Sequence, residues 1–192
     1  MILVVDLSCR DGSLSRDEFV APVERLLCRN GGVAFTTRHY TAVGAPEIES
    51  ADAAILCGTA LMDTGYMEHP ELFRWLLSFE RQVLGISSGM LALAAAFGGS
   101  TEPCREIGMT DVNVLAPDPL FFGREVFSAY AVHDYAVRVP GGEFVALAAS
   151  DRCVQAIRHR SLPLYGLLFH PPEVRNEWIV ERFCELVDRQ SP

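Results

Sequence analysis

Short apolar runs alternate with amphipathic stretches through the first half of the chain, and this pattern confines it to few folds. Ile2 to Val5 ends at Asp6, Val33 to Thr37 follows, Ala53 to Cys57 stops at Gly58, and Val83 to Ile86 comes next. Each run is short and continuous, as buried parallel strands are. Between them, Arg16 to Asn30 sets Phe19, Val23, Leu26 and Leu27 on one helical face and closes on Asn30-Gly31-Gly32. His69-Pro70 opens a predicted helix to Glu80 with Leu72, Trp75, Leu76 and Phe79 facing inward, and Ser88 to Phe97 is a third helix closed by Gly98-Gly99. Strand–helix alternation of this kind predicts an α/β fold with a mostly parallel central sheet and helices on both faces.

The second half reads differently. Val112 to Leu115, Glu125 to Val132, Phe144 to Ala149, Val154 to Arg158 and Leu164 to Phe169 are strand-like and joined by short turns, which predicts an antiparallel excursion. Ala116 to Gly123 is a loop, and Asn176 is placed to cap a last helix carrying Trp178, Ile179, Phe183 and Leu186. The 192 residues fit one domain, 1–192, and 49% hydrophobic content excludes disorder.

Charge and cysteine usage narrow the function classes. The net charge is −9 and the 16 Lys and Arg are scattered, so the basic stripe that a nucleic-acid partner needs is missing. The N-terminus has no basic segment, its apolar run stops at Asp6, and Met90 to Phe97 is too short to cross a bilayer. The expectation is a cytoplasmic protein without a membrane partner. Six cysteines stand singly with no CxxC pair, which argues against a zinc site and against a disulfide framework. No phosphate loop or dinucleotide fingerprint is visible, so neither cofactor nor metal is expected.

The chemistry concentrates at Val83-Leu84-Gly85-Ile86-Ser87-Ser88-Gly89. A side chain flanked by glycines between a strand and a helix sits on a tight turn at the end of a sheet. The helix end below it offers backbone N–H groups to a developing oxyanion. Gly85-x-Ser87-x-Gly89 is therefore a candidate nucleophile elbow; the plain alternative is a βα turn with a serine cap.

From Gly85 to Gly99 the sequence GISSGMLALAAAFGG resembles the nucleophile motif of class I glutamine amidotransferases. Val154 to His159 with Pro163 to Pro171 resembles that family's closing strand and His-Pro-Glu motif. Asp52 to Thr59 is similar to its oxyanion strand, and Glu106-Ile107-Gly108 and Val132-His133-Asp134 fall in family order. The resemblance spans essentially the whole chain. It implies a three-layer, flavodoxin-like α/β fold and hydrolysis of the glutamine side-chain amide, with ammonia passed to a synthetase or ligase subunit. It implies Ser87 as nucleophile, His170 as base and Glu173 as its orienter. Gly58, Thr59, Ser88, Leu91 and His133 fall at the substrate and oxyanion positions.

Three positions depart from the family pattern. Ser87 stands where the family has cysteine, Pro172 where it has the triad glutamate, and Leu91 where a glutamine helps hold substrate. A serine hydroxyl depends wholly on its general base, whereas a thiol beside histidine ionises readily. These departures predict weakened or lost glutamine hydrolysis. They leave open a non-catalytic ligand-sensing or subunit-interaction module, or a serine hydrolase of another small amide or ester. A homodimer is also left open. His133 and Asp134 read as a strand-end turn or a rim of the site. His39 and His69 read as loop or cap residues, Cys57 as a small buried hydrophobe, and Met62, Met67 and Met90 as core.

Overall fold

The computed structural model describes residues 1–29, 32–138, 142–172 and 176–189. Its elements run β1 (Ile2–Asp6), α1 (Ser15–Phe19), α2 (Ala21–Arg29), β2 (Phe35–His39), α3 (Ala45–Ser50), β3 (Ala53–Leu56), α4 (Gly65–Glu68), β4 (Gln82–Ile86) and α5 (Ser88–Ala96). They continue with β5 (Ser100–Val114), β6 (Val126–Arg138), β7 (Phe144–Ala149), β8 (Val154–His159), β9 (Leu164–Leu167) and α6 (Glu177–Asp188). Among the described residues the strands form one sheet in the order β2-β1-β3-β4-β9-β8-β7-β5-β6. The half from β2 to β9 is parallel and the half from β9 to β6 antiparallel, as the change in sequence pattern predicts.

Alternation along β1 divides the core into two layers. Ile2 and Val4 pack with Val23, Leu27, Ile55, Leu84 and Phe183 on the face covered by α2 and α6. Leu3 and Val5 pack with Leu56, Phe73, Leu76 and Met90 on the face covered by α5. Helix α5 is buried from Ser88 to Ala94, which explains why its sequence is apolar on every side.

Several elements differ from the sequence expectation. The helix over 16–30 is broken at Val20 because Pro22 has no N–H to continue the ladder; Asn30 and Gly31 lie outside the described residues. Strand β2 begins at Phe35, where its register against β1 fixes it. Residues Pro70–Ser78 form a 3-10 helix, because the buried side chains Phe73, Leu76 and Phe79 recur every third residue. Strands β5 and β6 are far longer than the apolar runs at 112–115 and 125–132 suggest. The extra length carries polar, solvent-facing residues such as Thr101, Glu102 and Arg105, so no apolar run announces it. His133 and Asp134 therefore lie inside β6 and not at a strand-end turn. Asn176 precedes α6 but caps nothing with its side chain: Nδ2 donates to the Ser128 carbonyl, and Oδ1 accepts from Trp178. His39 is a buried strand residue bonded to Thr41 and the Ser8 carbonyl, and Met62 is exposed. Among the described residues no helix is long and apolar enough to cross a membrane.

Candidate active site

Strand β4 delivers Ser87 to the carboxyl edge of the parallel half, where α5 begins. Ser87 has φ 50° and ψ −108°, one of two non-glycine residues with positive φ among those described. Such backbone costs about 1–3 kcal/mol and persists only when its surroundings enforce it. Here the Ser87 N–H donates to the Leu167 carbonyl on β9, and the Ser87 carbonyl accepts from Met90 and Leu91 in α5. The flanking glycines are steric necessities: a Cβ on Gly85 would lie 2.6 Å from the Gly89 carbonyl oxygen, and one on Gly89 would be driven into the Leu56 carbonyl. The Gly-x-Ser-x-Gly spacing thus lets α5 start directly against the ends of β3 and β4. The serine-cap alternative fails, because the Ser87 hydroxyl caps no helix N–H.

His170 approaches from the far end of the chain, held after β9 by its N–H donating to the Tyr130 carbonyl on β6. A Cβ on Gly58 would meet His170 Cε1 at 2.5 Å and Ser87 Cβ at 3.3 Å, so the imidazole and the serine meet over a bare glycine backbone. The Phe19 ring packs on His170 with centroids 5.1 Å apart. His170 is buried and its Nε2 has no hydrogen-bond partner among the described residues. Burial lowers its pKa to about 4; the Val132 carbonyl opposes the shift and the neighbouring His133 adds to it. The ring is neutral at pH 7 and a weak base.

The other sequence candidates fall around this pair. Thr59 is buried in the loop after β3, its hydroxyl donating to Asp63 Oδ2 at 2.7 Å, and Ser15 donates to the same oxygen. Burial pushes the Asp63 carboxyl up, but the hydrogen bonds from Thr59, Ser15 and Cys9 together hold it below its usual range. The backbone N–H groups of Thr59 and Ser88 have no backbone acceptor among the described residues. Thr59, Ser87, Ser88, Leu91 and His133 line one cleft, together with Tyr66 and Tyr135. Burial raises the Tyr66 phenol to about 12, with the Ser88 hydroxyl opposing. The cleft volume is about 20 Å³, room for roughly one water centre. Larger cavities lie elsewhere, one of them beside the 113–126 loop, away from Ser87. Glu173 lies outside the described residues. Tyr66 and Tyr135 escaped the sequence reading because neither belongs to a local motif. The fold also gathers Cys104, Glu106 and Cys153, which chain spacing had argued against.

A parallel α/β sheet with a strained serine turn at its carboxyl edge, facing a histidine from the closing strand, defines an elbow-type hydrolase or transferase scaffold. Residues 19–180 match the family Glutamine amidotransferase class-I. The chain belongs to that family. It is 33% identical over 146 residues to a glutamine-hydrolyzing GMP synthase subunit of Methanothrix thermoacetophila, a match covering 72% of this chain and 78% of that protein. The corresponding GMP synthase subunit of Methanopyrus kandleri is 37% identical over 118 residues, covering 57% of this chain and 63% of its own length. The crystal structure of a putative GMP synthase subunit from Thermoplasma acidophilum superposes with a TM-score of 0.85 at 23% identity, over 98% of this chain and 94% of that one. A glutamine amidotransferase from Thermotoga maritima gives 0.69 at 18% identity, over 100% and 85%. These two structures share the fold.

Proposed function

We propose that residues 1–192 form one amidotransferase unit that releases ammonia from a glutamine-type amide for a synthetase subunit, with hydrolysis weakened by the serine at its elbow. The observation that carries this reading is the meeting of buried Ser87 and His170 across Gly58 without a hydrogen bond to His170 Nε2. In the reaction, Ser87 Oγ attacks the amide carbon and its proton passes to His170. The N–H groups of Thr59 and Ser88 receive the oxyanion. Ammonia leaves with the proton from His170, and water then cleaves the acyl ester to free carboxylate and serine. Glu173 is our candidate for orienting the imidazole. The partner follows from relatives that are subunits of a glutamine-hydrolyzing GMP synthase.

The weakening has a physical basis. A base with a pKa near 4 gives little driving force for deprotonating an alcohol. Misplacing one member of such a triad costs ~10⁴-fold in turnover. Leu91 offers the cleft an apolar wall where an amino-acid substrate needs a polar one. The small cleft favours a second reading, a non-catalytic docking or ligand-sensing module on the same scaffold.

Ammonia release from glutamine by the wild type, Ser87→Ala and Ser87→Cys tests both. We expect slow wild-type turnover that Ser87→Ala abolishes, and only a small gain in Ser87→Cys because Leu91 and Pro172 remain. Vigorous wild-type hydrolysis would refute the weakening. Robust rescue by Ser87→Cys would show that the pocket still holds glutamine. Equal silence of all three, on glutamine and on a panel of amides and esters, would leave the docking module as the function.

A further inference from the structure

Next to the cleft, and unused by the chemistry above, the fold gathers a second set of reactive side chains. Cys104 sits in the irregularity of the β5–β6 pairing between Pro103 and Glu106, where the extra length re-aims side chains. Glu106 pairs across the ladder with His133, and Cys153 closes the turn between β7 and β8. One donor atom each from Cys104, Glu106 and Cys153 lies within 4.8 Å of the other two. Cys153 Sγ is 3.3 Å from Glu106 Oε2. Gln155 Nε2 donates to that oxygen at 2.6 Å, and Ser150 Oγ donates to Oε1 at 3.2 Å. The carboxylate is buried and held from several sides, while Cys104 and Cys153 are half-buried.

His133 supplies an independent indication. Its Nδ1 lies 2.9 Å from the Cys104 carbonyl oxygen, which can only accept, so Nδ1 carries the proton. Nε2 lies 3.2 Å from Glu106 Oε2, buried and without a hydrogen-bond partner among the described residues. A buried ring nitrogen left without a hydrogen-bond partner beside a carboxylate is unfavourable unless another group at the site satisfies it.

We propose that Cys104, Glu106 and Cys153 form a binding site for a soft divalent metal ion of the zinc class. A water in the fourth position would donate to His133 Nε2. Tetrahedral zinc bonds of about 2.0–2.3 Å place neighbouring donors roughly 3.3–3.8 Å apart. The Cys153–Glu106 separation already fits, and the third donor closes in by a small movement. Two thiolates select zinc over magnesium or calcium, which require oxygen. Binding releases the two thiol protons to solvent and changes no oxidation state. Gln155 and Ser150 hold the carboxylate from behind. The ion would brace the β5 irregularity against the β7–β8 turn. Val132, next to His133, lines the cleft and sets its carbonyl against His170, so the brace would stiffen that wall.

The test uses the full chain, stripped with chelator, kept reduced, and titrated with zinc against a chromophoric competitor and with cobalt for thiolate-to-metal absorption. We expect about one ion per chain, a thiolate–cobalt band, and binding at least ~10–100-fold weaker in Cys104→Ser, Cys153→Ser and Glu106→Gln. Alkylation of the wild type, followed by mass spectrometry, needs no variant to fold. Zinc should protect Cys104 and Cys153 while the exposed Cys9 and Cys28 label unchanged. Sub-stoichiometric binding, binding that survives the substitutions, or equal labelling with and without zinc overturns the proposal. A Cys104–Cys153 disulfide that takes up no metal after reduction does so too.

Discussion

Replacing His170 with glutamine should remove a large acid sensitivity from the protein's stability. His170 titrates near 4 in the folded chain against an ordinary value of 6.5, because its ring is buried. The folded state therefore binds fewer protons than the unfolded state between these values, and stability falls as pH drops through that window. Above 6.5 both states hold a neutral ring and the contribution vanishes. At pH 5 the unfolded ring is almost fully protonated while the folded one is mostly neutral, which costs about 2 kcal/mol relative to pH 7.5. Well below 4 the cost levels off at about 3 kcal/mol. The measurement is the urea unfolding free energy of the wild type and His170→Gln at pH 7.5 and at pH 5. His133 and His159, also held below their ordinary values by burial, contribute to both proteins and cancel in the double difference. The wild type should lose about 2 kcal/mol more than the variant on acidification. Parallel losses would mean that the ring is protonated in the folded state, and the argument for a dry, neutral base beside Ser87 would fail.

Three glycine exchanges probe the elbow. Ser87→Gly should exceed Ser87→Ala in stability by about 1 kcal/mol in thermal or urea melts, reversing the usual order of these residues, because only glycine relieves the positive φ. Gly58→Ala places a methyl group against His170 Cε1. It should displace the ring and move its NMR-observed pKa upward from about 4; an unchanged titration would disprove the contact. Gly89→Ala drives a methyl group into the Leu56 carbonyl and should destabilise by about 1–3 kcal/mol, read from the shift in unfolding midpoint.

The parallel half of the sheet was legible because buried strands there are uninterrupted apolar runs and the turn at Ser87 needs glycine on both sides. The β5–β6 hairpin was not. Its strands alternate at a sheet edge with one face in solvent, so residues such as Thr101, Arg105 and Asp134 carry no apolar signal. Tyr66 and Tyr135 reached the cleft from segments with no motif, and the Asn176 side chain turned from the helix it precedes to satisfy the Ser128 carbonyl.

Sequence by itself determined the order of the strands, the family, and the glycine-flanked serine, since these show in local runs and motifs along the chain. Tertiary structure alone decided that His170 comes to rest beside Gly58 and Ser87 with an unpartnered nitrogen. It alone brought Cys104 and Glu106 on β5 together with Cys153 from the turn between β7 and β8. Spacing along a chain reports neighbours within one helix or strand; how far apart side chains from different elements lie is set by sheet register and by the dehydration of whatever is enclosed between them.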